Sequence, residues 1–192
     1  MNALVVGAPL GLAQACAERL REDGMTIAFT TPDRAADEAL ELSRDGVSPD
    51  VLVTCAEMRV DGSIESTPEP VFRELLEVNL TAAFRVGREC FEAMRKRGGG
   101  SMIHIASDAG IRAAHEAAAY SVMCAGVIAL AELFAAEGAS DGIRSNAVCP
   151  RPGTDVAAIV AWLASEESAH LSGATLRVDD AAGAAMVLDT RI

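Results

Sequence analysis

The chain has 192 residues and a mass of 19.9 kDa, the size of one domain with a substantial buried core. Its 16 Lys and Arg residues against 28 Asp and Glu residues give a formal net charge of −12. A field of this sign repels nucleic-acid phosphates and anionic lipids, so we expect neither nucleic acid nor a membrane surface as a partner.

The composition also indicates the class of protein. Hydrophobic residues make up 51% of the chain and the mean hydropathy is +0.24, which is too apolar for a disordered protein. The longest mainly apolar run, residues 117–131, is shorter than a bilayer span, so we expect it to form a buried helix. No Lys or Arg precedes Arg19, and the five cysteines form no Cys-x-x-Cys pair. The sequence therefore favours a cytoplasmic protein with reduced thiols and no metal site.

Short aliphatic runs alternate with longer helical patterns along the whole chain, as is typical of β-α units on a mostly parallel sheet. The predicted strands are nearly continuously apolar, as strands covered on both faces should be. In chain order the predicted elements are strand 3–6, helix 11–23, strand 25–30, helix 33–44, strand 50–54, a helical region 68–97 in one or two segments, strand 101–106, helix 117–138, strand 143–148, helix 154–165 and strand 174–178. Residues 1–192 are thus predicted to form a single α/β domain with about six strands.

The long helical region has recognisable ends. Thr67 is predicted to cap it and Pro68 to be its first helical residue, and three glycines at 98–100 are predicted to end it. Because these glycines close a helix and lead into a strand, we interpret them as a turn and not as a phosphate-binding loop.

A second glycine-containing turn lies between the first predicted strand and the first helix. It places backbone N–H groups at a helix N-terminus, where phosphate binds favourably. Tight packing of the strand against the helix explains the same turn equally well. The candidate phosphate contacts are Gly7, Pro9, Leu10, Gly11 and Leu12.

Further segments complete a pattern that covers essentially the whole chain. They are, in order, Asp50-Val51-Leu52-Val53, Val78-Asn79-Leu80, the strand and loop 101–110 with Ser107, Tyr120 thirteen residues later, and the segments 143–150 and 172–179. With the first turn, these landmarks resemble the short-chain dehydrogenase/reductase family. The resemblance implies a Rossmann-like doubly wound parallel sheet and an oxidoreductase lineage.

The resemblance also implies roles for three side chains. In the family a Tyr hydroxyl exchanges a proton with the substrate oxygen while hydride passes to or from nicotinamide, and a Ser hydroxyl holds that oxygen. Ser107 and Tyr120 match these positions, and Asn79 matches a structural and proton-relay Asn. Without the family pattern, Tyr120 is simply a buried Tyr and Asn79 a weak helix former.

One departure from the family affects the charge of the site. The family has a Lys four residues after the Tyr, which holds the nicotinamide ribose and lowers the Tyr pKa. Here that position is Cys124, and the only Lys of the chain is Lys96, at the end of another helix. We therefore expect Tyr120 to be mainly a neutral proton donor.

A second departure concerns the cofactor side of the cleft. The family's Asn-Asn-Ala-Gly segment reads Thr54-Cys55-Ala56-Glu57, so Ala56 would lie beside the cofactor and the Glu57 carboxylate would repel an anionic dinucleotide. A solvated loop acid is the alternative interpretation of Glu57. The family's Pro-Gly pair reads Pro150-Arg151, with Pro150 at the cofactor.

Two segments of the family are missing. Residues 31–49 leave room for one helix only, so the outermost strand of the sheet is predicted to be absent, together with one wall of the adenine pocket. After Pro150 the chain passes almost directly to the last helix, which omits the substrate-binding loop. A site without this loop should be shallow and wet.

Three more residues bear on specificity and acid–base chemistry. Thr31, with Arg34 close behind it, replaces the acid that would hold an NAD ribose, which favours NADP over NAD where a dinucleotide binds at all. His115 lies in a loop that lines the family's substrate cleft and is either an acid or base or simply an exposed loop residue. His104 lies inside a strand and is predicted to be a core residue.

These observations leave three functions open. The first is an NADP(H)-dependent carbonyl reductase or alcohol dehydrogenase of reduced size with a damaged site. The second is a cofactor-independent lyase, dehydratase or isomerase in which Glu57, His115 or Cys124 moves a proton. The third is a non-catalytic partner subunit. The alanine-rich helix 117–138 favours a homodimer or homotetramer, because the family packs this helix against its copy in another subunit and small side chains permit close contact.

Overall fold

A computed structural model describes residues 1–9, 11–55, 58–151 and 154–178. Its six strands form one parallel sheet with the order β2-β1-β3-β4-β5-β6. The strands are β1 (Asn2–Val6), β2 (Thr26–Thr30), β3 (Val51–Cys55), β4 (Gly100–Ile105), β5 (Ile143–Pro150) and β6 (Thr175–Val178). The order reverses between β1 and β3, so the predicted six-stranded, doubly wound sheet is confirmed.

Helices connect the strands at the predicted places. They are α1 (Leu12–Glu22), α2 (Ala35–Arg44), α3 (Glu69–Leu75), α4 (Ala82–Arg97), α5 (Ala118–Gly138) and α6 (Val156–Ala164). The region between β3 and β4, predicted as one or two helical segments, contains a π-helical segment, Leu76–Thr81, that joins α3 to α4. Short 3-10 turns follow at Asp108–Gly110, Ala139–Asp141 and Glu166–Ser168.

The two faces of the sheet carry separate cores. Val5 and Ile103 belong to a cluster that packs against α1 and α6, whereas their neighbours Leu4 and Met102 belong to a cluster that packs against α2, α4 and α5. Successive residues of a strand point to opposite faces, so a strand that is covered on both sides is apolar throughout. This is the pattern from which the strands were predicted.

The start of α3 differs from the prediction. Pro68 is the N-cap residue, with the extended backbone angles φ −67 and ψ 142, and Glu69 is the first helical residue. The Thr67 hydroxyl is not a cap, because it donates a 2.6 Å hydrogen bond back to the carbonyl oxygen of Ser63. The predicted stop is confirmed, since Gly98 closes α4 in the left-handed conformation at φ 88.

The longest helix, α5, is predominantly apolar. The stretch Ala118–Asp141 has a mean hydropathy of 1.8 in its most apolar window, the length and composition of a membrane span. In the fold, 56% of that window is buried inside the protein, which is typical of a core helix. Its first turn lies at the carboxyl edge of the sheet, beside the segment that follows β4.

Candidate active site

Ser107 lies just beyond the carboxyl end of β4. Its hydroxyl oxygen accepts a 3.3 Å hydrogen bond from the backbone N–H of Ala109 and so caps the 3-10 turn Asp108–Gly110. At Gly110 an added Cβ would come within 2.7 Å of the Cys124 backbone carbon. The missing side chain therefore lets this turn pack directly on α5, which brings Ser107 against the helix that carries Tyr120.

Tyr120 lies in the first turn of α5 and is only 9% exposed. Burial and the neighbouring Cys124 raise its pKa to about 12, while a side-chain hydrogen bond with Ser107 and the charge of Arg59 act in the opposite direction. The structure thus brings Ser107 and Tyr120 together at the carboxyl edge of the sheet. Its pKa leaves Tyr120 a neutral phenol at neutral pH.

Cys124 follows Tyr120 by one helical turn, and its side chain is fully buried. Burial raises the pKa of its thiol to about 11, although its hydrogen bond with Tyr120 and the charge of Arg59 lower it. The pair is therefore neutral at physiological pH and holds two protons that burial makes difficult to remove.

Arg59 is the functional candidate that the sequence did not reveal. Its guanidinium carbon lies 5.2 Å from the centroid of the Tyr120 ring, and its Nε forms a 2.9 Å ion pair with Asp61. The loop after β3 carries both charged residues. A contact between residues 59 and 120 depends on how that loop packs, and no local pattern in the sequence indicates it.

Asn79 holds the same loop in place. Its side-chain amide donates to the carbonyl oxygens of Met58 at 3.0 Å and Leu75 at 3.1 Å, and its Oδ1 accepts from the Met58 N–H at 3.1 Å. Asn79 is buried within the π-helical segment, which displaces its side chain from regular α-helical register. The residue thereby fixes the backbone next to Arg59.

His115 lies in an exposed turn before α5. The turn is tied to the loop after β3, because Gly62 donates a 2.6 Å hydrogen bond to the carbonyl oxygen of Glu116 and Ala118 donates a 3.1 Å hydrogen bond to that of Gly62. Ala56 and Glu57, predicted on the cofactor side of the cleft, lie outside the described residues.

The turn after β1 fits the approach of a phosphate. Gly7 donates a 2.9 Å hydrogen bond to the carbonyl oxygen of Thr30, which continues the sheet ladder. Gly11 caps α1 at φ 88 and ψ −138, a conformation that side chains disfavour, and nothing lies within 4 Å of the position of an added Cβ. Pro9 and Leu12 are exposed around this open space, and α1 has no acidic residue in its first turn. Leu10 lies outside the described residues.

The corner after β2 also contains an acid, Asp33. A side-chain hydrogen bond from Thr31 lowers the pKa of Asp33, assisted by the charge of Arg34. The N–H of Arg34 also donates a 3.1 Å hydrogen bond to the carbonyl oxygen of Thr31. Both signs of charge therefore occupy the predicted ribose-binding corner.

The connection from β5 to α6 is short. Pro150 ends β5 and Val156 begins α6, so only residues 151–155 separate them. Arg151 pairs with Asp108 at 3.8 Å across the edge of the site, and both side chains are partly exposed.

His104 is confirmed as a core residue. Its Nδ1 lies 2.8 Å from the Thr54 hydroxyl on the neighbouring strand, and its ring stacks on Phe134 at a centroid distance of 5.7 Å. Its Nε2 has no hydrogen-bond partner among the described residues, and the side chain is fully buried. Burial lowers its pKa to about 4, which leaves the imidazole neutral.

A cleft of about 1050 Å³ lies at the opposite edge of the sheet. It is lined by residues that precede or begin β3, β4 and β5, including Asp50, Gly100 and Ile143. Because Ser107 follows the carboxyl end of β4, this cleft is separate from the candidate site.

The chain is similar in sequence to known proteins. A sequence profile described as short chain dehydrogenase matches residues 34–158. The 3-oxoacyl-[acyl-carrier-protein] reductase MabA of Mycobacterium tuberculosis is 29% identical over 228 positions, which cover 95% of this chain and 92% of the relative. The acetoacetyl-CoA reductase of Allochromatium vinosum is 29% identical over 191 positions, covering 82% of this chain and 77% of the relative.

Solved structures show the same fold. Xylitol dehydrogenase bound to NAD+ superposes with a TM-score of 0.84 at 20% identity, over 92% of this chain and 96% of the other. A variant of the actinorhodin polyketide ketoreductase with NADPH superposes with a TM-score of 0.83 at 22% identity, over 92% and 95% of the two chains. The alignment with MabA spans 228 positions, more than the 192 residues of this chain, so this chain lacks internal segments that MabA has.

Proposed function

The chain belongs to the short-chain dehydrogenase family, and from that membership we propose that it is an NADP(H)-dependent oxidoreductase that reduces a carbonyl group to an alcohol. In this proposal Tyr120 donates the proton and Ser107 holds the substrate oxygen. The observation that carries the proposal is the meeting of the two hydroxyls at the carboxyl edge of β4.

The protonation state of Tyr120 supports carbonyl reduction. With a pKa of about 12, the phenol holds its proton throughout the physiological range, and a general acid must start protonated. Oxidation of an alcohol requires the phenolate, which is scarce at neutral pH. We therefore propose that reduction proceeds at neutral pH, whereas oxidation rises with pH until the phenol titrates.

Ser107 is suited to orient the substrate. Its oxygen accepts the Ala109 N–H, and its own O–H makes a long, 3.5 Å hydrogen bond to the Asp108 carboxylate, which it would exchange for a substrate carbonyl oxygen. Two hydroxyl donors that converge on one oxygen stabilise the negative charge that develops there as the carbonyl is reduced.

A bound nicotinamide cofactor would supply the hydride for this reduction. The open space at Gly11 fits its phosphates, and Gly7, Pro9, Leu10 and Leu12 would complete that turn. Arg34 with Thr31 would take the 2′-phosphate of NADP, while Ala56 and Pro150 would line the nicotinamide side. We propose weak binding, because Cys124 offers no charge to the cofactor and Asp33 competes for Arg34.

The substrate is proposed to be a small carbonyl compound. Two relatives are reductases named for 3-oxoacyl and acetoacetyl thioesters. Acetoacetyl-CoA is therefore the first probe to use. The protein is proposed to act in the cytoplasm.

Two measurements test the proposal. Titration with NADPH, followed by nicotinamide fluorescence, should show saturable binding below millimolar concentration. NADPH consumption with acetoacetyl-CoA should then be abolished in Tyr120→Phe while binding is retained. Absence of NADPH binding at millimolar concentration contradicts the proposal.

A second candidate is a cofactor-independent lyase, dehydratase or isomerase, favoured by the neutral thiol of Cys124 beside the Tyr120 hydroxyl. Here the substrate oxygen would bind at Ser107 and Tyr120, and the proton would be moved by Cys124, Glu57 or His115. Turnover without any nucleotide, lost in Tyr120→Phe, distinguishes this candidate from the reductase.

The assembly is proposed to be a homodimer or homotetramer through α5. Val122 is 53% exposed and Leu133 is 49% exposed, and Ala125, Ala129 and Ala136 are exposed at helical spacing between and after them. This stripe has small apolar side chains that permit close contact with a second copy. The same stripe would serve a non-catalytic partner subunit, which differs by lacking NADPH binding and turnover.

A further inference from the structure

A cationic side chain lies over the ring of Tyr120. The guanidinium carbon of Arg59 is 5.2 Å from the ring centroid, within the range of a cation–π contact. Tyr120 also belongs to a buried apolar cluster that includes Leu75, Ala109 and Met123. Arg59 is therefore the positive group that the described structure places at this ring.

We propose that Arg59 is a positioning residue for Tyr120 and that its guanidinium stabilises the phenolate formed when Tyr120 gives up its proton. This inference rests on the proposed role of Tyr120 as proton donor. The reaction leaves a negative charge on a mostly buried oxygen next to Cys124, a neutral group, so a nearby cation lowers the cost of that charge.

The backbone around Arg59 is built to keep it there. Asn79 binds both the N–H and the carbonyl oxygen of Met58, the residue before Arg59. Asp61 pairs with the Arg59 Nε at 2.9 Å and restricts the side chain from the solvent side. Thus Asn79 fixes the main chain and Asp61 fixes the side chain.

The charged and titratable groups around Tyr120 and its neighbour Cys124 come from four elements. They are Arg59 and Asp61 from the loop after β3, Asp108 from the turn after β4, Cys124 from α5 and Cys149 from β5. Cys124 raises the pKa of Tyr120, whereas Arg59 lowers it. Asp61 weakens the effect of Arg59 because its carboxylate partly neutralises the guanidinium.

The contact has a purely structural interpretation as well, in which Arg59 only covers the ring. The two interpretations differ in charge dependence. Packing alone predicts that an Arg59 substitution changes stability but leaves the titration of Tyr120 unchanged. Stabilisation of the phenolate predicts that the titration follows the charge at position 59.

Tyr120 is the only Tyr of the chain, so tyrosinate absorbance reports this residue alone. The absorbance is followed with increasing pH in the wild type, Arg59→Gln and Arg59→Lys, within the range where the emission of the only Trp, Trp162, remains native. The midpoint should rise by roughly half a pH unit in Arg59→Gln, because a partly exposed charge is screened. Arg59→Lys should retain most of the wild-type midpoint.

The same comparison is repeated in an Asp61→Asn background. Loss of this acid should move the titration toward neutral pH, which keeps it readable before alkaline unfolding. High salt should shrink the change in midpoint that Arg59→Gln causes in either background. An unchanged midpoint in Arg59→Gln, with and without Asp61, overturns the proposal.

The readout separates this inference from the proposed function, since it needs neither cofactor nor substrate. A shifted midpoint in a protein without reductase activity supports the role of Arg59 and contradicts the proposed function. Turnover that is lost in Tyr120→Phe supports the proposed function. If the Arg59→Gln midpoint then equals that of the wild type, the role of Arg59 is contradicted.

Discussion

Cys124 lies one helical turn after Tyr120, and the two side chains share a hydrogen bond inside the protein. Neither group is charged at neutral pH, because burial raises both pKa values above 10. The Tyr120 hydroxyl therefore starts a reduction protonated, as a general acid must, whereas the phenolate that proton donation leaves on Tyr120 forms only at a cost. That asymmetry makes the residue at position 124 the clearest place to change the chemistry.

Cys124→Lys should lower the pKa of Tyr120, because an ammonium group one turn away favours the phenolate. The tyrosinate midpoint is expected to fall by more than about one pH unit. Alcohol oxidation at neutral pH should increase accordingly.

Cys124→Met is the matched control, since it adds a long side chain without a charge. Both variants should lose about 1–3 kcal/mol in the free energy of unfolding, because the site is fully buried. Equal tyrosinate midpoints in the Lys and Met variants would show that charge at this position does not reach Tyr120.

Gly11→Ala should weaken NADPH binding. The backbone at Gly11 has φ 88, and the space beside it is open for a ligand that an added methyl group would obstruct. Gly24→Ala is the control, because Gly24 has φ 84 and equally open surroundings away from the site. Both substitutions should cost about 1–3 kcal/mol in the free energy of unfolding from backbone strain.

Fluorescence titration with NADPH distinguishes the two glycines. The dissociation constant should rise at least about tenfold in Gly11→Ala and stay at the wild-type value in Gly24→Ala. Equal NADPH dissociation constants in the two variants would show that the cofactor phosphates do not bind beside Gly11.

Acid should destabilise the fold through His104. Burial lowers its pKa to about 4, so between pH 6.5 and 4 the unfolded chain binds a proton that the folded chain does not. The free energy of unfolding therefore falls as the pH falls through this window, by about 3 kcal/mol for this group, and is fully recovered above it.

His104→Asn removes this titration and retains a polar group toward Thr54. Urea unfolding at a series of pH values should give a smaller loss of stability in the variant than in the wild type between pH 6.5 and 4. Parallel pH dependences in the two proteins would assign the acid sensitivity to the carboxylates alone.

Leu133→Glu should dissociate the proposed assembly. The substitution places a charge within the exposed α5 stripe, where a second copy would have to bury it. Ile64→Glu serves as the control, because Ile64 is 87% exposed in a loop outside α5. Sedimentation should give a monomer for Leu133→Glu and the wild-type assembly for Ile64→Glu. A wild-type protein that sediments as a monomer would contradict the proposal that the stripe is an interface.

The strands and most helices were predictable because local sequence determines them. Leu4 and Val5 are both apolar since each faces a different core, and this double burial is visible in the sequence of β1. The end of α4 was equally clear, because Gly98 adopts a conformation that other residues disfavour. Thr67 was misassigned as a cap, since its hydroxyl binds the preceding turn at Ser63 instead.

The composition of the site was less predictable. The resemblance to the family pattern indicated Ser107, Tyr120 and Cys124, but the approach of the Ser107 turn to α5 depends on the missing side chain of Gly110. Arg59 could not be found from sequence, because it reaches the ring through a loop that Asn79 anchors across the fold. Contacts of this kind arise from tertiary packing, for which local patterns carry no signal.

The central claim is that the neutral phenol of Tyr120 gives its proton to a carbonyl oxygen held by Ser107. NADPH consumption with acetoacetyl-CoA, compared at about pH 7 between the wild type and Tyr120→Phe, tests it most directly. The account predicts turnover in the wild type and a decrease of at least about a hundredfold in the variant, with NADPH affinity unchanged. Equal rates in the two proteins would contradict it.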